Sequence, residues 1–312
     1  MSDNFKVLNR IVACCEQGID AGLAVIVERQ GSTPREKGAM LMLDGEGGCV
    51  GTIGGGALEQ QVVEELANVM VSHAAKIQVF DLLPESFGMP CGGRIKVVLS
   101  PIGKDALPVF SALVSRLARG KATTLYAGMK EPGVVRWEIS PPLQDMASWF
   151  EIPVEAVAEL LIFGAGHIAQ AMSPMALAAD FQVSVLDDRS AFLQDVVLPE
   201  EVHAIALSSF EECMASAPAV SETTFVLIAT YGHRHDMVVL KQVLDTNAGY
   251  IGMVGSLNKR DTIYARLKAE GISDATLSRI HCPVGLPIGA VTPAEIAISI
   301  LAEMIAHRRK AA

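Results

Sequence analysis

Short apolar runs separated by glycine-rich turns fill the first third of the chain. Five runs have the length and the bounding turns of β-strands, and two longer stretches carry apolar residues at helical spacing. The predicted strands are residues 23–27, 39–43, 49–53, 77–83 and 94–99, and the predicted helices are residues 4–16 and 58–71. Because these strands follow one another through turns, we predict an α+β domain with a mixed or antiparallel sheet.

The second half of the chain has a different rhythm, in which an apolar run, a glycine turn and a helical stretch follow one another. Apolar runs at 160–163 and 183–186 flank a predicted helix at 167–179, which is the pattern of a βαβ unit. Further apolar runs at 225–230 and 250–254 are each followed by a helical stretch. We therefore predict an α/β protein that ends in a Rossmann-like, doubly wound parallel-sheet domain.

The stretch between these two regions is less regular. Residues 116–155 contain proline-rich turns and both tryptophans of the chain, without a clear period. We interpret them as a linker region. The predicted domains are then residues 1–115 and 156–312.

Composition and charge narrow the class of protein. The 312 residues are 50% hydrophobic, which is enough for two buried cores, and the formal net charge of -10 argues against nucleic-acid binding. No stretch approaches the ~18 apolar residues of a membrane span, and the N-terminus lacks a signal-peptide pattern. We expect a cytoplasmic globular protein without membrane contact. Six cysteines without a CxxC pair indicate neither disulfides nor a zinc cage.

The segment GTIGGGALE, residues 51–59, packs four glycines into six positions before a predicted helix. Glycine permits positive φ and a close approach of ligands to backbone N–H groups, and a helix N-terminus directs its free N–H donors to the same place. The segment therefore predicts an anion site.

A second glycine turn resembles a dinucleotide fingerprint. Gly164, Gly166 and Ala169 follow a predicted strand at G-x-G-x-x-G/A spacing, and Asp187 ends the next strand, where such folds place the carboxylate that binds ribose. An acidic residue there favours NAD over NADP. The alternative is a solvated turn at Asp187-Asp188-Arg189, in which Arg189 pairs locally and no nucleotide binds.

Polar residues also follow the later strands, at the sheet edge where open α/β sheets bind ligands. His167 lies inside the glycine turn, where it faces either a ligand phosphate or water. The segment TYGHRHD contains His233 and His235, which bind an anion, transfer protons or belong to a polar loop. GSLNKR offers Lys259 and Arg260 as anion contacts or as a solvated face.

Two turns of the first domain hold further candidates. Arg35 lies in GSTPREKG, and Cys91 lies in MPCGG between a proline and two glycines. A thiol among backbone amides can have a lowered pKa and bind a soft metal or carry sulfur, whereas the alternative is an unreactive turn cysteine. Cys282 is a weaker candidate, because it also fits a packing role beneath the last helix.

Seven motifs together resemble the XdhC/CoxI family, over about residues 23–303. In order they are GSTPREKGAMLML, GTIGGGALE, MPCGGRIKV, LLIFGAGHIAQA with DDR, TYGHRHD, IGMVGSLNKR and GLPIGAVTPAEIAISILAE. The resemblance implies a maturation factor that binds the molybdenum cofactor, protects it during sulfuration and delivers it to a molybdenum hydroxylase. This implies a cofactor chaperone without turnover of its own.

The resemblance also implies partners and site residues. The cofactor would be molybdopterin or its cytosine dinucleotide, with an NAD-like nucleotide as a further candidate. The partners would be a molybdenum hydroxylase apoenzyme such as xanthine dehydrogenase, a cysteine desulfurase and cofactor-synthesis enzymes, and the apolar richness is compatible with a homodimer. The residues expected to bind the cofactor are Arg35, Thr52, Gly54, Gly55, Gly56, Cys91, Gly92, Gly164, Gly166, His167, Asp187, His233 and His235, with Cys91 as a contact to molybdenum or sulfur.

Two other functions fit the residues. An NAD-dependent oxidoreductase would use His233 or His235 as acid and base and bind NAD in the Rossmann half. A sulfur-carrying transferase would use Cys91 as the acceptor thiol.

Overall fold

The computed structural model describes residues 3–83, 92–141 and 148–311. The chain divides into two compact units, Ser2–Ala156 and Val157–Ala312. Each has its own sheets and its own core.

The first unit is built on a five-stranded antiparallel sheet. Its strands, in the spatial order β3-β2-β1-β5-β4, are β1 (Ala21–Gln30), β2 (Met40–Asp44), β3 (Cys49–Gly51), β4 (Lys76–Asp81) and β5 (Arg94–Ile102). Its helices are α1 (Asp3–Gln17), α2 (Gly56–Ser72) and α3 (Leu107–Ala118). The predicted α+β architecture is confirmed, with an antiparallel sheet.

The central strand of this sheet is covered on both faces. Ala24 and Ile26 of β1 pack in one cluster with Leu58 and Leu66 of α2. The intervening residue Val25 points to the opposite face and is also fully buried. Burial on both faces thus leaves only the ends of β1 for polar chemistry.

The region that we predicted as a linker is folded, so that interpretation needs correction. It contains β6 (Thr123–Glu131), β7 (Val134–Glu138) and β8 (Trp149–Val154), which form a three-stranded antiparallel sheet in the order β7-β6-β8. Pro132-Gly133 is the turn of the β6–β7 hairpin. Gly128 leaves room for Trp149, because a Cβ there would lie 2.6 Å from the indole ring. The Pro132-Gly133 pair therefore forms a hairpin turn, and Trp149 packs against a neighbouring strand.

The second unit is a six-stranded parallel sheet. Its strands are β9 (Ala158–Phe163), β10 (Phe181–Asp187), β11 (His203–Ala206), β12 (Thr224–Ile228), β13 (Tyr250–Met253) and β14 (Ile280–His281). The spatial order β11-β10-β9-β12-β13-β14 is the 3-2-1-4-5-6 order of dinucleotide-binding folds. The predicted Rossmann-like sheet is confirmed. We did not predict β11 or β14, the two edge strands.

Helices cover both faces of this sheet. They are α4 (His167–Ala178), α5 (Ser190–Asp195), α6 (Cys213–Ser216), α7 (His233–Leu244), α8 (Leu257–Ala269), α9 (Asp274–Leu277) and α10 (Pro293–Ala311). Alternate residues of β9 belong to different cores: Leu161 packs on one side of the sheet and Leu160 on the other. Among the described helices, none is both long and apolar enough to cross a bilayer.

A buried carboxylate ties α1 to the β2–β3 hairpin of the first unit. Asp44 is only 3% exposed and accepts bonds from Arg10 Nε at 3.0 Å and from Arg10 Nη2 at 2.6 Å. The amides of Glu46 and Gly48 donate to the same side chain at 3.1 and 2.6 Å. The hydrogen bond from Arg10 is the main cause that lowers the pKa of Asp44.

We expect Asp44→Asn to lower the free energy of unfolding by about 2 kcal/mol at pH 7, since a charge-assisted buried network is lost. Because the folded-state pKa of Asp44 is lowered, its contribution is fully present above the unfolded pKa of about 4. The contribution disappears as the pH falls through the folded-state pKa. Urea unfolding of both proteins at several pH values checks this; a difference that stays constant from pH 7 to pH 2 would contradict it.

Candidate functional site

Three loops meet at one edge of the antiparallel sheet. They are residues 31–35 after β1, residues 52–56 after β3 and residues 92–93 before β5, and we call them the three-loop edge. Ser32 forms a backbone bridge with Gly92. Gly54 lies against Pro34, where an added Cβ would be 2.8 Å from Pro34 Cγ. Three motifs that are far apart in the sequence are therefore neighbours.

The glycine loop of this edge turns in a way that requires glycine. Gly54, Gly55 and Gly56 have φ values of 151°, 73° and 60°, a region that other residues rarely adopt. A Cβ at Gly55 or Gly56 would meet nothing within 4 Å, and the same is true of Gly92. The backbone here faces open space, beside the first-turn amides of α2, so a ligand can approach it closely.

A carboxylate from the protein already lies in this loop. Glu59 Oε2 accepts a hydrogen bond from the Gly55 amide at 3.2 Å and another from the Thr52 hydroxyl. The Gly54 amide donates to Thr52 Oγ1 at 3.3 Å. An incoming anion therefore competes with Glu59 for the same donors. Sequence reasoning missed Glu59, although its place in the first turn of α2, four residues after Gly55, was the signal.

Arg35 of the three-loop edge is held by an exposed ion pair. Its Nη2 lies 2.6 Å from Asp3 Oδ2, and the two side chains are 38% and 48% exposed. Such pairs contribute about 0–1 kcal/mol, so the guanidinium can exchange Asp3 for another anion at little cost. Cys91 falls outside the described residues, and its predicted role stays a prediction.

The Rossmann turn has the close backbone approach that its glycines predict. Gly164 has a φ of 108°, and a Cβ on it would lie 2.3 Å from the carbonyl oxygen of Ala229. Gly166 is the N-cap of α4 with open space above it, and His167 is the exposed first residue of that helix. The exposed imidazole thus stands beside the free amides of a helix N-terminus.

The carboxylate expected to bind ribose is fully occupied by the protein. Asp187 is 0% exposed, and the Ala165 amide donates to its Oδ2 at 2.8 Å. Arg189 donates Nε to Oδ1 at 2.9 Å and Nη2 to Oδ2 at 2.8 Å, and its amide donates to Oδ1 at 3.0 Å. Burial alone would raise the pKa of Asp187, but the hydrogen bonds from Arg189 and Ala165 outweigh it and lower the pKa. The oxygens that a ribose diol needs are taken.

Aromatic rings fix this arginine further. The guanidinium of Arg189 stacks 4.3 Å from the ring centroid of Phe192 and 4.2 Å from that of Tyr231. The Tyr231 hydroxyl donates to Asp188 Oδ2 at 3.2 Å. The loop after β12 is thereby joined to the loop after β10, across the place where a ribose would bind Asp187.

The TYGHRHD segment divides into a structural part and an exposed part. Asp236 is 1% exposed, accepts from the Thr230 hydroxyl at 2.8 Å and lies 2.5 Å from Lys259 Nζ. Lys259, which we predicted as an anion contact or a solvated cation, is instead paired with this buried carboxylate. Their ion pair joins the beginnings of α7 and α8.

The two histidines of this segment have different surroundings. His233 is the exposed first residue of α7, whereas the ring of His235 packs 4.6 Å from Tyr231 and 5.4 Å from Phe210. No group of three or more metal-binding side chains occurs within residues 3–83, 92–141 and 148–311. Cys282 is 9% exposed, and burial raises its thiol pKa to about 11, which keeps it neutral and fits the packing role.

Comparisons with known proteins agree over both units. The family model described as the XdhC Rossmann domain matches residues 160–304, and the model described as the XdhC and CoxI family matches residues 14–81. Together the two models cover more than half of the chain.

Three curated relatives extend the match along the chain. A probable xanthine dehydrogenase subunit of Bacillus subtilis (strain 168) is 27% identical over 96% of this chain and 97% of its own length. The molybdenum cofactor insertion chaperone PaoD of Escherichia coli (strain K12) is 24% identical over 98% of this chain and 89% of its length. The protein YqeB of the same organism is 26% identical over 95% of this chain, which spans only 45% of YqeB.

A solved structure has the same fold. A Bacillus halodurans protein described as a xanthine dehydrogenase matches 99% of this chain and 96% of its own, with a TM-score of 0.83 and 24% identity. At this identity the likeness concerns the fold.

The occupied carboxylate leads to a prediction about NAD. We expect wild-type protein to bind NADH weakly and Arg189→Ala to bind it about tenfold more tightly, because the variant removes one side-chain hydrogen bond from each oxygen of Asp187. NADH fluorescence titration measures both affinities, with Arg234→Ala, an exposed arginine at the same edge, as the control. Thermal unfolding shows that the variant is folded. Tighter NADH binding by wild type than by Arg189→Ala would contradict the prediction.

Proposed function

Since this chain belongs to the XdhC/CoxI family, we propose that it binds the molybdenum cofactor and assists its insertion into a molybdenum hydroxylase of the xanthine dehydrogenase class. The family resemblance carried by the seven motifs is confirmed. Support for the function comes from the names of two relatives, a molybdenum cofactor insertion chaperone and a probable xanthine dehydrogenase subunit.

The observation that carries the proposal is the open backbone of the three-loop edge. Molybdopterin ends in a phosphate, and its cytosine dinucleotide carries a pyrophosphate, so either form needs N–H donors in an accessible place. Gly55 and Gly56 supply such a place beside the first turn of α2, and Gly92 is equally open. The residues present therefore fit the phosphate end of this cofactor.

Binding involves two exchanges within the protein. The cofactor phosphate replaces the Glu59 carboxylate at the Gly55 amide and the Thr52 hydroxyl. Arg35 then exchanges Asp3 for the phosphate, which retains its charge pairing. Both exchanges are reversible, because Glu59 and Asp3 return when the cofactor leaves. When bound, the cofactor would supply the molybdenum centre that receives the sulfur.

The finer parts of the proposal concern partners. We propose that a cysteine desulfurase supplies the sulfur while the cofactor is bound and that the client apoenzyme then receives the cofactor. The oxidoreductase alternative has less support, since the Asp187 carboxylate is occupied by Arg189. Binding without turnover is the activity that we propose.

A pair of glycine variants tests the site. Gly55→Ala places a methyl group in the space that the cofactor would occupy, so we expect about tenfold less bound pterin. Gly47→Ala is the matched control, because Gly47 also has positive φ and open space above it but lies in the β2–β3 hairpin. Each change strains the backbone by about 1–3 kcal/mol, because both positions have positive φ.

The measurement is the pterin and molybdenum content of protein purified anaerobically from cells that make molybdopterin. Pterin is quantified as its fluorescent oxidation product. Equal pterin in the Gly55→Ala and Gly47→Ala proteins would remove the three-loop edge from the proposal. Wild-type protein with neither pterin nor molybdenum would refute cofactor binding.

Removing the internal competitor should have the opposite effect. Glu59→Gln keeps a side chain that can bond Thr52 but removes a negative charge from the site of an anion, so we expect slower loss of pterin during dialysis, by about fivefold. Glu64→Gln, on the same helix, is the charge-matched control. Faster loss of pterin from Glu59→Gln than from the control would show that Glu59 supports the loop rather than competing with the ligand.

A further inference from the structure

A cationic cavity lies at the end of α3, outside the three-loop edge. Its volume is about 340 Å³, at the small end of the range for ligand sites. The residues that line it are Ser115, Arg116, Arg119, Lys121, Ala122 and Thr123. Three cations and two hydroxyl groups line this open surface cavity, and its lining contains no acidic side chain.

These three cations differ from the six arginines and lysines of the first unit that form described ion pairs. Arg10, Arg29, Arg35, Arg94 and two lysines each pair with a carboxylate, as Arg94 does with Asp81 at 2.5 Å. No ion pair involves the cavity's three cations within the described part of the chain. Their positive charge is uncompensated in a protein whose net charge is -10.

These three side chains are also not needed to cap the C-terminal carbonyl groups of α3. Cations often serve to cap the last carbonyl groups of a helix. Here the backbone does so: the Arg116 carbonyl accepts from the amides of Arg119 at 3.1 Å and Lys121 at 3.0 Å, and the Leu117 carbonyl accepts from Gly120 at 3.0 Å. Gly120, with a φ of 71°, makes this Schellman turn possible. The guanidinium and ammonium groups remain available for a ligand.

We propose that this cavity is a second anion site, which binds a small molecule through a phosphate group. Arginine matches two phosphate oxygens at once, lysine adds a point charge, and the hydroxyls of Ser115 and Thr123 add neutral donors. A compact polyanion such as pyrophosphate balances the three positive charges, whereas a phosphate dianion balances two of them. The observation is independent of the proposed cofactor function, because none of the lining residues belongs to the three-loop edge.

The test is calorimetric titration of the purified full-length chain with inorganic pyrophosphate. We expect pyrophosphate to bind about tenfold or more weakly to the triple variant Arg116→Gln/Arg119→Gln/Lys121→Gln. Each lost charge-assisted contact lowers the affinity. Lys6→Gln/Lys104→Gln/Arg136→Gln removes the same total charge elsewhere in the unit and should keep affinity close to that of wild type. Circular dichroism checks that both variants are folded.

Pyrophosphate affinity that is equal in the two triple variants would overturn the proposal, and so would wild-type protein without measurable binding at millimolar pyrophosphate. Pterin content distinguishes two sources of the phosphate. A cavity variant that loses both pyrophosphate binding and pterin assigns the cavity to the cofactor's phosphate. A variant that loses only pyrophosphate binding assigns it to a separate phosphorylated metabolite and leaves the cofactor proposal intact.

Discussion

Burial of both faces of the central strands in the two main sheets is the constraint on which the rest of the structure depends. β1 has seven consecutive buried residues, and β12 is buried along its whole length. Polar side chains cannot lie in the middle of such strands without a large desolvation cost. Chemistry is therefore confined to the strand ends, where the chain turns into a helix or another strand. The three-loop edge and the Rossmann turn are both products of this confinement, and both need glycine because the turns are tight.

The donors and acceptors at these strand ends are satisfied from within the protein. The free energy needed to break these internal contacts differs greatly between the two sites. Asp187 is fully buried, bound by Arg189 through two side-chain nitrogens and covered by aromatic stacking. Opening it leaves a buried charge unpaired, which costs about 3–5 kcal/mol. Glu59 is only half-buried and accepts from a neutral amide and a neutral hydroxyl. A ligand anion displaces Glu59 far more easily, and this difference favours the first unit as the cofactor site.

Sequence periodicity predicted the core strands and helices well, because their apolar residues are spaced by the geometry of the elements themselves. It failed where proline and tryptophan have turn and packing roles, because the Pro132-Gly133 turn and Trp149, which packs on Gly128, were interpreted as parts of a linker. It also failed for β11, whose residues are mostly exposed or half-buried and carry no apolar pattern. The candidate site shows the same limit. The motifs located the loops, but Arg35 and Asp3 are 32 residues apart, and their pairing follows from the tertiary fold.

A cofactor carrier, the function that we propose, must release its cargo as well as bind it, and residues of the first unit offer a physical basis for both. If rigid amides bound an anion tightly and no internal group competed, the anion would dissociate only when another protein removed it. Glu59 alters this balance, because its carboxylate is tethered beside the amides and competes at a high effective concentration. The net charge of -10 adds a weak repulsion of the same sign. Capture of an anion then depends on local donors. When the anion leaves, the Glu59 carboxylate accepts from the Gly55 amide and the Thr52 hydroxyl again, so neither donor is left unsatisfied.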